Sequence, residues 1–275
     1  MRMTKVSQGG HAFWAHETAD GLRPLTNEQL RTALRGDDSE RGATPGNVLT
    51  QDAVVFLPPL LPEASIYCIG LNYKSHVEET ARDLPPQPSV FVRVQGSVVG
   101  HGQPMVRPLV SEHFDFEGEL AVVIGPPARH VSEERAWAHV AGFTCFNDGS
   151  VRDFQKHSVT AGKNFEASGA CGPFIVTLDE VADREKLALT TRLNGAVVQQ
   201  SDTSLLIYSI PRILSYLSTV VQLRTGDIVA TGTPAGVGAR RTPPLWMKAG
   251  DCVEVEIAGV GRLSNRIINE QGSAT

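Results

Sequence analysis

The chain predicts a β-rich α+β fold, and three observations carry that expectation. Residues 114–125, FDFEGELAVVIG, alternate apolar and polar side chains as a strand does. The C-terminal third holds short, Gly-bounded, partly alternating runs: DIVATG, DCVEVEIAG and GRLSNRI. Helical patterns are few and never settle into regular alternation with strands, which argues against a doubly wound dinucleotide-binding fold.

Taken in order, LTNEQLRTALRG (25–36) reads as a short helix, with Thr26 and Gln29 at capping-box spacing and Gly36 as its stop. The proline-rich VVFLPPLLPEAS (54–65) marks a boundary, so residues 1–62 are expected to form a small N-terminal domain and 63–275 a larger one. SIYCIG (65–70) predicts a buried strand, and YKSHVEETARDL (73–84) a polar helix ended by Pro85 and Pro86. SEERAWAHVAG (132–142) predicts a helix with Ser132 as N-cap and two glutamates in its first turn. GFTCFNDGSVRDFQ (142–155) begins as an apolar strand that ends at Asn147-Asp148. SIPRILSYLSTVVQL (209–223) predicts a helix capped by Ser209, with Pro211 near its start. Ile213, Leu214, Leu217, Val220 and Val221 fall on one stripe of it.

The 275 residues suffice for a large core, and 41% hydrophobic with 20% charged residues is ordinary for a globular chain. A net charge of −5 argues against nucleic acid or an anionic membrane as partner. No apolar run approaches a membrane span, and MRMTKVSQGGHAFW lacks the apolar core of a signal peptide. Cys68, Cys145, Cys171 and Cys252 lie far apart without a CxxC pair, so buried free thiols in a reducing cytoplasm are expected.

Asp115, Glu117 and Glu119 crowd one side of the strand 114–125, opposite Phe114, Phe116, Leu120, Val122 and Ile124. Joined by the strand-end Asp148, Glu117 and Glu119 would offer carboxylate oxygens suited to Mg²⁺, Mn²⁺ or Ca²⁺ rather than zinc or copper. Spacing alone favours a solvated sheet face. A helical turn after Asp148 would set Arg152 and Gln155 on one face, where Arg152 could orient a carboxylate. Lys163 could supply a point charge to a developing oxyanion. His76 and Glu79, at i and i+3, form a base oriented by an acid, or else part of a solvated polar helix. ATGTPAGVG (230–238) lacks the lysine of a phosphate-binding loop and reads as a tight turn that brings Thr233 near a small ligand.

Together the motifs are specific. G-x-N-Y-x-x-H-x-x-E (70–79), E-x-E (117–119), N-D-x-S-x-R-x-x-Q (147–155), G-K-x-F (162–165), N-G-x-x-x-Q (194–199) and G-T-P-x-G-V-G (232–238) follow in an order that resembles the fumarylacetoacetate hydrolase family, over roughly residues 63–270. The resemblance is to its acylpyruvase and hydroxymuconate isomerase-like subgroup. The resemblance implies a mixed β-sandwich roll, a homodimer, and a divalent metal held by Glu117, Glu119 and Asp148. It implies that His76 and Glu79 activate water and that Arg152, Gln155, Lys163 and Thr233 face the substrate, with Asp115 a bystander or a support behind the metal ligands.

The implied activity is hydrolysis of a carbon–carbon bond in a 2,4-dioxo acid, an acylpyruvate or fumarylpyruvate, through an enolate that the metal and Lys163 stabilise. Tautomerisation or decarboxylation of a 2-oxo acid at the same site is the alternative, and a silent metal-binding scaffold a further one. The complete His-Glu pair favours hydrolysis. Two departures bear on the substrate. Many relatives carry Lys-Ser-Phe-Asp and then Pro-x-Gly-Pro, where this chain has Lys163-Asn164-Phe165-Glu166 and Ala170-Cys171-Gly172-Pro173. The segment from Gln155 to Lys163 is also short.

Overall fold

Two β-sheets packed face to face organise the computed structural model, which describes residues 1–37, 47–80 and 83–272. The large sheet runs Gly21–Leu25, His11–Thr18, Arg2–Gln8, Gly169–Thr177, Val140–Asn147, Gly118–Ile124, Ile228–Ala230, Ile66–Gly70, Ser89–Arg93. Val55–Leu57 and Val98–Val99 branch from it, beside Arg2–Gln8 and Gly169–Thr177. The second sheet runs Ala196–Asp202, Ala188–Leu193, Cys252–Ile257, Gly261–Asn269, Met105–Arg107. The expected α+β, β-rich fold is what forms, and all three C-terminal runs are strands.

Alternation explains the stacking. In Gly118–Ile124 the even residues Leu120, Val122 and Ile124 join a core with Val255 and Leu263 of the second sheet. The odd residues Ala121 and Val123 join a separate cluster with Leu30 and Leu34. Both faces are therefore covered, and the solvated-face reading of the acidic strand is corrected: Glu117 is 6% exposed and Glu119 2%. The strand also breaks into Phe114–Asp115 and Gly118–Ile124, the first piece pairing with Ser150–Val151. Gly118 sits where the sheets approach closely, since a Cβ there would lie 2.0 Å from Thr191 Oγ1.

The first 62 residues add the hairpin Arg2–Gln8/His11–Thr18, whose Gly9-Gly10 turn has both φ angles positive. Met3 pairs with Ile175, which ties this hairpin into the large sheet. Helix Asn27–Leu34 carries the full Thr26/Gln29 capping box, and helix Ile210–Val220 is capped by Ser209. Ile213, Leu214 and Leu217 are buried as expected, but Val220 is 61% exposed because the helix ends there.

Two helices differ from expectation. Residues Glu133–His139 form 3-10 turns, not an α-helix, and Ser132 makes no capping bond. The segment must return at once to Val140, which pairs with Ile124, and Gly125 N already donates to His139 O. The helix expected over 73–84 runs Lys74–Thr80, and Ala81 and Arg82 lie outside the described residues. All four cysteines are free, three of them buried. Cys252, expected buried, is half-buried at the start of its strand.

Candidate active site

Strand register assembles the acids. Gly118–Ile124 and Val140–Asn147 are antiparallel with Gly118 opposite Asn147, so Glu117 at one strand's start meets Asp148 at the other's end. Asp148 N donates to Glu117 O at 2.8 Å. One ligand oxygen from each of Glu117, Glu119 and Asp148 lies within 4.8 Å of the others. The parallel strands Ile228–Ala230 and Ile66–Gly70 end at the same side, followed by the loop bearing Thr233 and by the helix Lys74–Thr80 bearing His76.

Cations hold these carboxylates in place. Lys163, buried at the end of helix Val159–Lys163, donates to Glu117 Oε2 at 2.5 Å, Asp148 Oδ2 at 2.5 Å and Asp148 O at 3.0 Å. Its three N–H bonds are thus all used. Burial would lower the Lys163 pKa, but Asp148 and Glu117 outweigh it and hold the ammonium above its ordinary value. Glu117 lies 2.7 Å from Arg152 Nη2 as well. Burial pushes the Glu117 carboxyl up, while Lys163, Arg152 and His76 pull it down to about 2. Glu119 has only the Gly232 N–H, 2.8 Å from Oε2, as a hydrogen-bond donor among the described residues. Burial first, then the charges of Asp148 and Glu117, drive its pKa well above the ordinary value. Gly232, at φ +103, brings that N–H close in a conformation L side chains avoid.

The remaining predicted residues gather over this cluster. The cleft measures about 440 Å³ and is lined by His76, Arg152, Gln155, Lys163 and Thr233 together with the three acids. His76 Nδ1 lies 3.3 Å from Glu79 Oε2, and Glu79 Oε1 accepts from Gly236 N at 2.9 Å. Glu79 itself stands behind His76, outside the lining. Arg152 and Gln155 form the expected helical turn, with Arg152 Nη1 donating to Gln155 Oε1 at 3.0 Å. Thr233 Oγ1 donates to Gly118 O at 3.0 Å and accepts from Gln199 Nε2 at 2.8 Å. Gln199, the last residue of the N-G-x-x-x-Q run, also accepts from Gly118 N at 2.9 Å and so ties the turn to the acidic strand.

Of two supporting residues, Asp115 was expected as either a bystander or a support, and Arg93 was not foreseen from the sequence. Asp115, with no exposed surface, accepts from Arg152 Nε at 2.7 Å, Gly238 N at 2.7 Å and Ala239 N at 3.0 Å. It is a support, not a bystander. Arg93 is buried and donates to Asp148 Oδ1 at 2.7 Å and Gly149 O at 3.0 Å. It also donates to Ser97 Oγ, Ser97 O and Ser168 Oγ at 3.1, 3.1 and 2.9 Å. A lone arginine in SVFVRVQG carries no local signal of this; only its burial in the fold does.

Buried carboxylates converging on one point, with oxygen the only donor atom, fit a hard divalent cation. The strongly raised pKa of Glu119 states the cost of packing those charges together, which a bound cation would offset.

Comparison with known proteins identifies the family. Residues 65–268 match the family model described as fumarylacetoacetate (FAA) hydrolase, C-terminal. The chain is 38% identical over 225 residues to the human mitochondrial oxaloacetate tautomerase FAHD2A, covering 80% of this chain and 72% of that protein. Among solved structures it resembles 5-carboxymethyl-2-hydroxymuconate delta-isomerase from Mycobacterium smegmatis, at TM-score 0.81, 29% identity, and 99% and 100% coverage of the two chains. It also resembles fumarylacetoacetate hydrolase from Exiguobacterium antarcticum, at TM-score 0.84, 33% identity, and 98% and 100% coverage. With its sandwich of sheets, its buried acids and these relatives, the chain belongs to the fumarylacetoacetate hydrolase family.

Proposed function

We propose that this protein is a divalent-metal-dependent hydrolase that cleaves a carbon–carbon bond in 2,4-dioxo acids of the acylpyruvate or fumarylpyruvate type. The observation that carries the reading is the oriented base His76–Glu79 over the same cleft as the acid cluster and Lys163. Glu117, Glu119 and Asp148 would hold Mg²⁺ or Mn²⁺, with Ca²⁺ a further fit to the same oxygen donors. When bound, such an ion supplies Lewis-acid polarisation of a 2-oxo acid.

The protein's own groups do the rest. Glu79 fixes the His76 ring through Nδ1, which leaves Nε2 to take a proton from water. The water oxygen adds to the distal carbonyl, the bond between that carbon and the methylene carbon breaks, and its electron pair passes to a pyruvate-type enolate. Lys163 places a buried ammonium at the floor of the cleft, where that negative charge develops. Arg152, Gln155 and Thr233 orient the substrate above it.

A second reading is keto–enol isomerisation or decarboxylation of a 2-oxo acid, which needs the electron sink but no attacking water. The similarity to an oxaloacetate tautomerase and a hydroxymuconate isomerase favours it. One experiment separates the readings. Wild type, His76→Ala and Lys163→Ala are assayed by absorbance on acylpyruvates, fumarylpyruvate and oxaloacetate with Mg²⁺ and Mn²⁺. Removing a general base costs about 10²–10⁴ in rate, so His76→Ala should lose hydrolysis while sparing oxaloacetate chemistry. Lys163→Ala should damage both. Wild-type hydrolysis by His76→Ala would refute the water-activating role, and no turnover of any 2-oxo acid by wild type would leave a silent scaffold. A homodimer acting in the cytoplasm completes the proposal, and a monomer mass in light scattering across a wide concentration range would count against the dimer.

Among the described residues no helix is long and apolar enough to cross a membrane.

A further inference from the structure

We propose that Arg240, with Lys156, selects ligands that carry a second carboxylate at the end remote from the acid cluster. This rests on the reading that a 2-oxo acid binds with its 2-oxo acid end at Glu117, Glu119 and Asp148. The floor of the cleft is buried, as Glu119, Asp148 and Lys163 all are. Arg240 and Lys156 line the same cleft but are exposed, so they stand at its mouth.

The charge balance at that mouth is positive in a protein of net charge −5. Among the described residues, Asp153 is the only carboxylate lining the cleft outside the three acids. It is already engaged, accepting from Ser111 Oγ at 2.7 Å and lying 3.6 Å from His113 Nδ1. Neither Arg240 nor Lys156 makes a side-chain hydrogen bond or ion pair among the described residues. Arg152, by contrast, is taken up by Asp115, Glu117 and Gln155. Among the described residues, the cleft thus offers two uncommitted cations at its outer end.

Arg240 is also held in place, which distinguishes it from a stray surface charge. It ends the turn Gly238–Arg240, whose Gly238 and Ala239 N–H groups both donate to Asp115. The carboxylate that anchors Arg152 therefore also fixes the turn carrying Arg240. Leu245 N donates to Gly238 O at 3.0 Å and closes the turn from the other side. A guanidinium on a backbone so fixed loses less freedom when it binds a carboxylate, and its planar fork matches that group.

The test uses inert ligand pairs that differ only at the far end: 2-oxoglutarate against 2-oxopentanoate, and 2-oxoadipate against 2-oxohexanoate. Affinities are measured by calorimetry on the Mn²⁺-loaded protein, so no turnover is needed. Wild type should prefer the dicarboxylate by about 10–100-fold, the range of a charge-assisted hydrogen bond. Arg240→Gln should remove most of that preference, Arg240→Lys should keep part of it, and Lys156→Gln should reduce it less. Equal affinity within each pair in wild type, or a preference that survives in Arg240→Gln, overturns the assignment. If wild type binds neither member of either pair, the metal-site reading fails first and the assignment falls with it.

Discussion

Replacing Arg93 by Met should destabilise the protein by about 3–5 kcal/mol, the cost of stripping one partner from a buried ion pair. The size follows from the bonding of Arg93. All five guanidinium N–H groups are used, on Asp148 Oδ1, Gly149 O, Ser97 Oγ, Ser97 O and Ser168 Oγ. The Arg93 side chain has 0% exposure and that of Asp148 1%, so water cannot replace the lost donors. Lys163 still neutralises part of the Asp148 charge, which argues for the lower half of the range. A chain of this size shifts by roughly 2–4 °C per kcal/mol, so melting should fall by about 6–20 °C. Urea unfolding with an unchanged slope would report the same loss as free energy. Arg93→Lys, with three donors in place of five, should recover only part. Asp148→Asn added to Arg93→Met should offset some of the loss by removing the stranded charge. A loss below about 1 kcal/mol, or a second substitution that merely adds to it, would refute the ion-pair account.

Glu119→Ala should weaken Mn²⁺ binding by more than the about 10–100-fold that loss of an outer partner costs, and wild-type affinity by calorimetry would sink the ligand assignment. The same residue sets a pH dependence. Its folded pKa lies well above 4.5, so the metal-free native state keeps a proton that the unfolded chain releases. That contribution to stability is full below 4.5 and is lost as pH rises through the raised value. Mn²⁺ must displace this proton, so its affinity should climb with pH over that window, and titrations in buffers of different ionisation enthalpy should show proton release. Identical heats in both buffers would contradict it. Gly118→Ala should cost about 1–3 kcal/mol through the clash with Thr191 Oγ1. Thr191→Ala should relieve it in the double variant, and strict additivity by denaturation would show that the sheets approach less closely there.

Local chemistry was legible because it acts over a few residues. The Thr26/Gln29 box, the Ser209 cap, the Gly-bounded strands and the turn carrying Arg152 and Gln155 all follow from contacts within one or two turns of chain. The E-x-E pair was legible as two carboxylates on one side of a strand. Helix type over Glu133–His139 was not, because the return to Val140 overrides local preference.

By itself, the sequence determined which side chains are available for chemistry: three acids, a His-Glu pair at helical spacing, and a lysine and an arginine nearby in the chain. Whether those acids face water or each other was decided only by tertiary structure. Pairing Gly118 with Asn147 brings Glu117 to Asp148, and a second hydrophobic cluster covers the face that alternation alone would leave to solvent. Arg93 reaches Asp148 across 55 residues, and Asp115 joins Arg152 to a turn more than 120 residues away. Such contacts leave no period or spacing in the chain, because they depend on register between strands and on burial, which arise only when the sheets have formed.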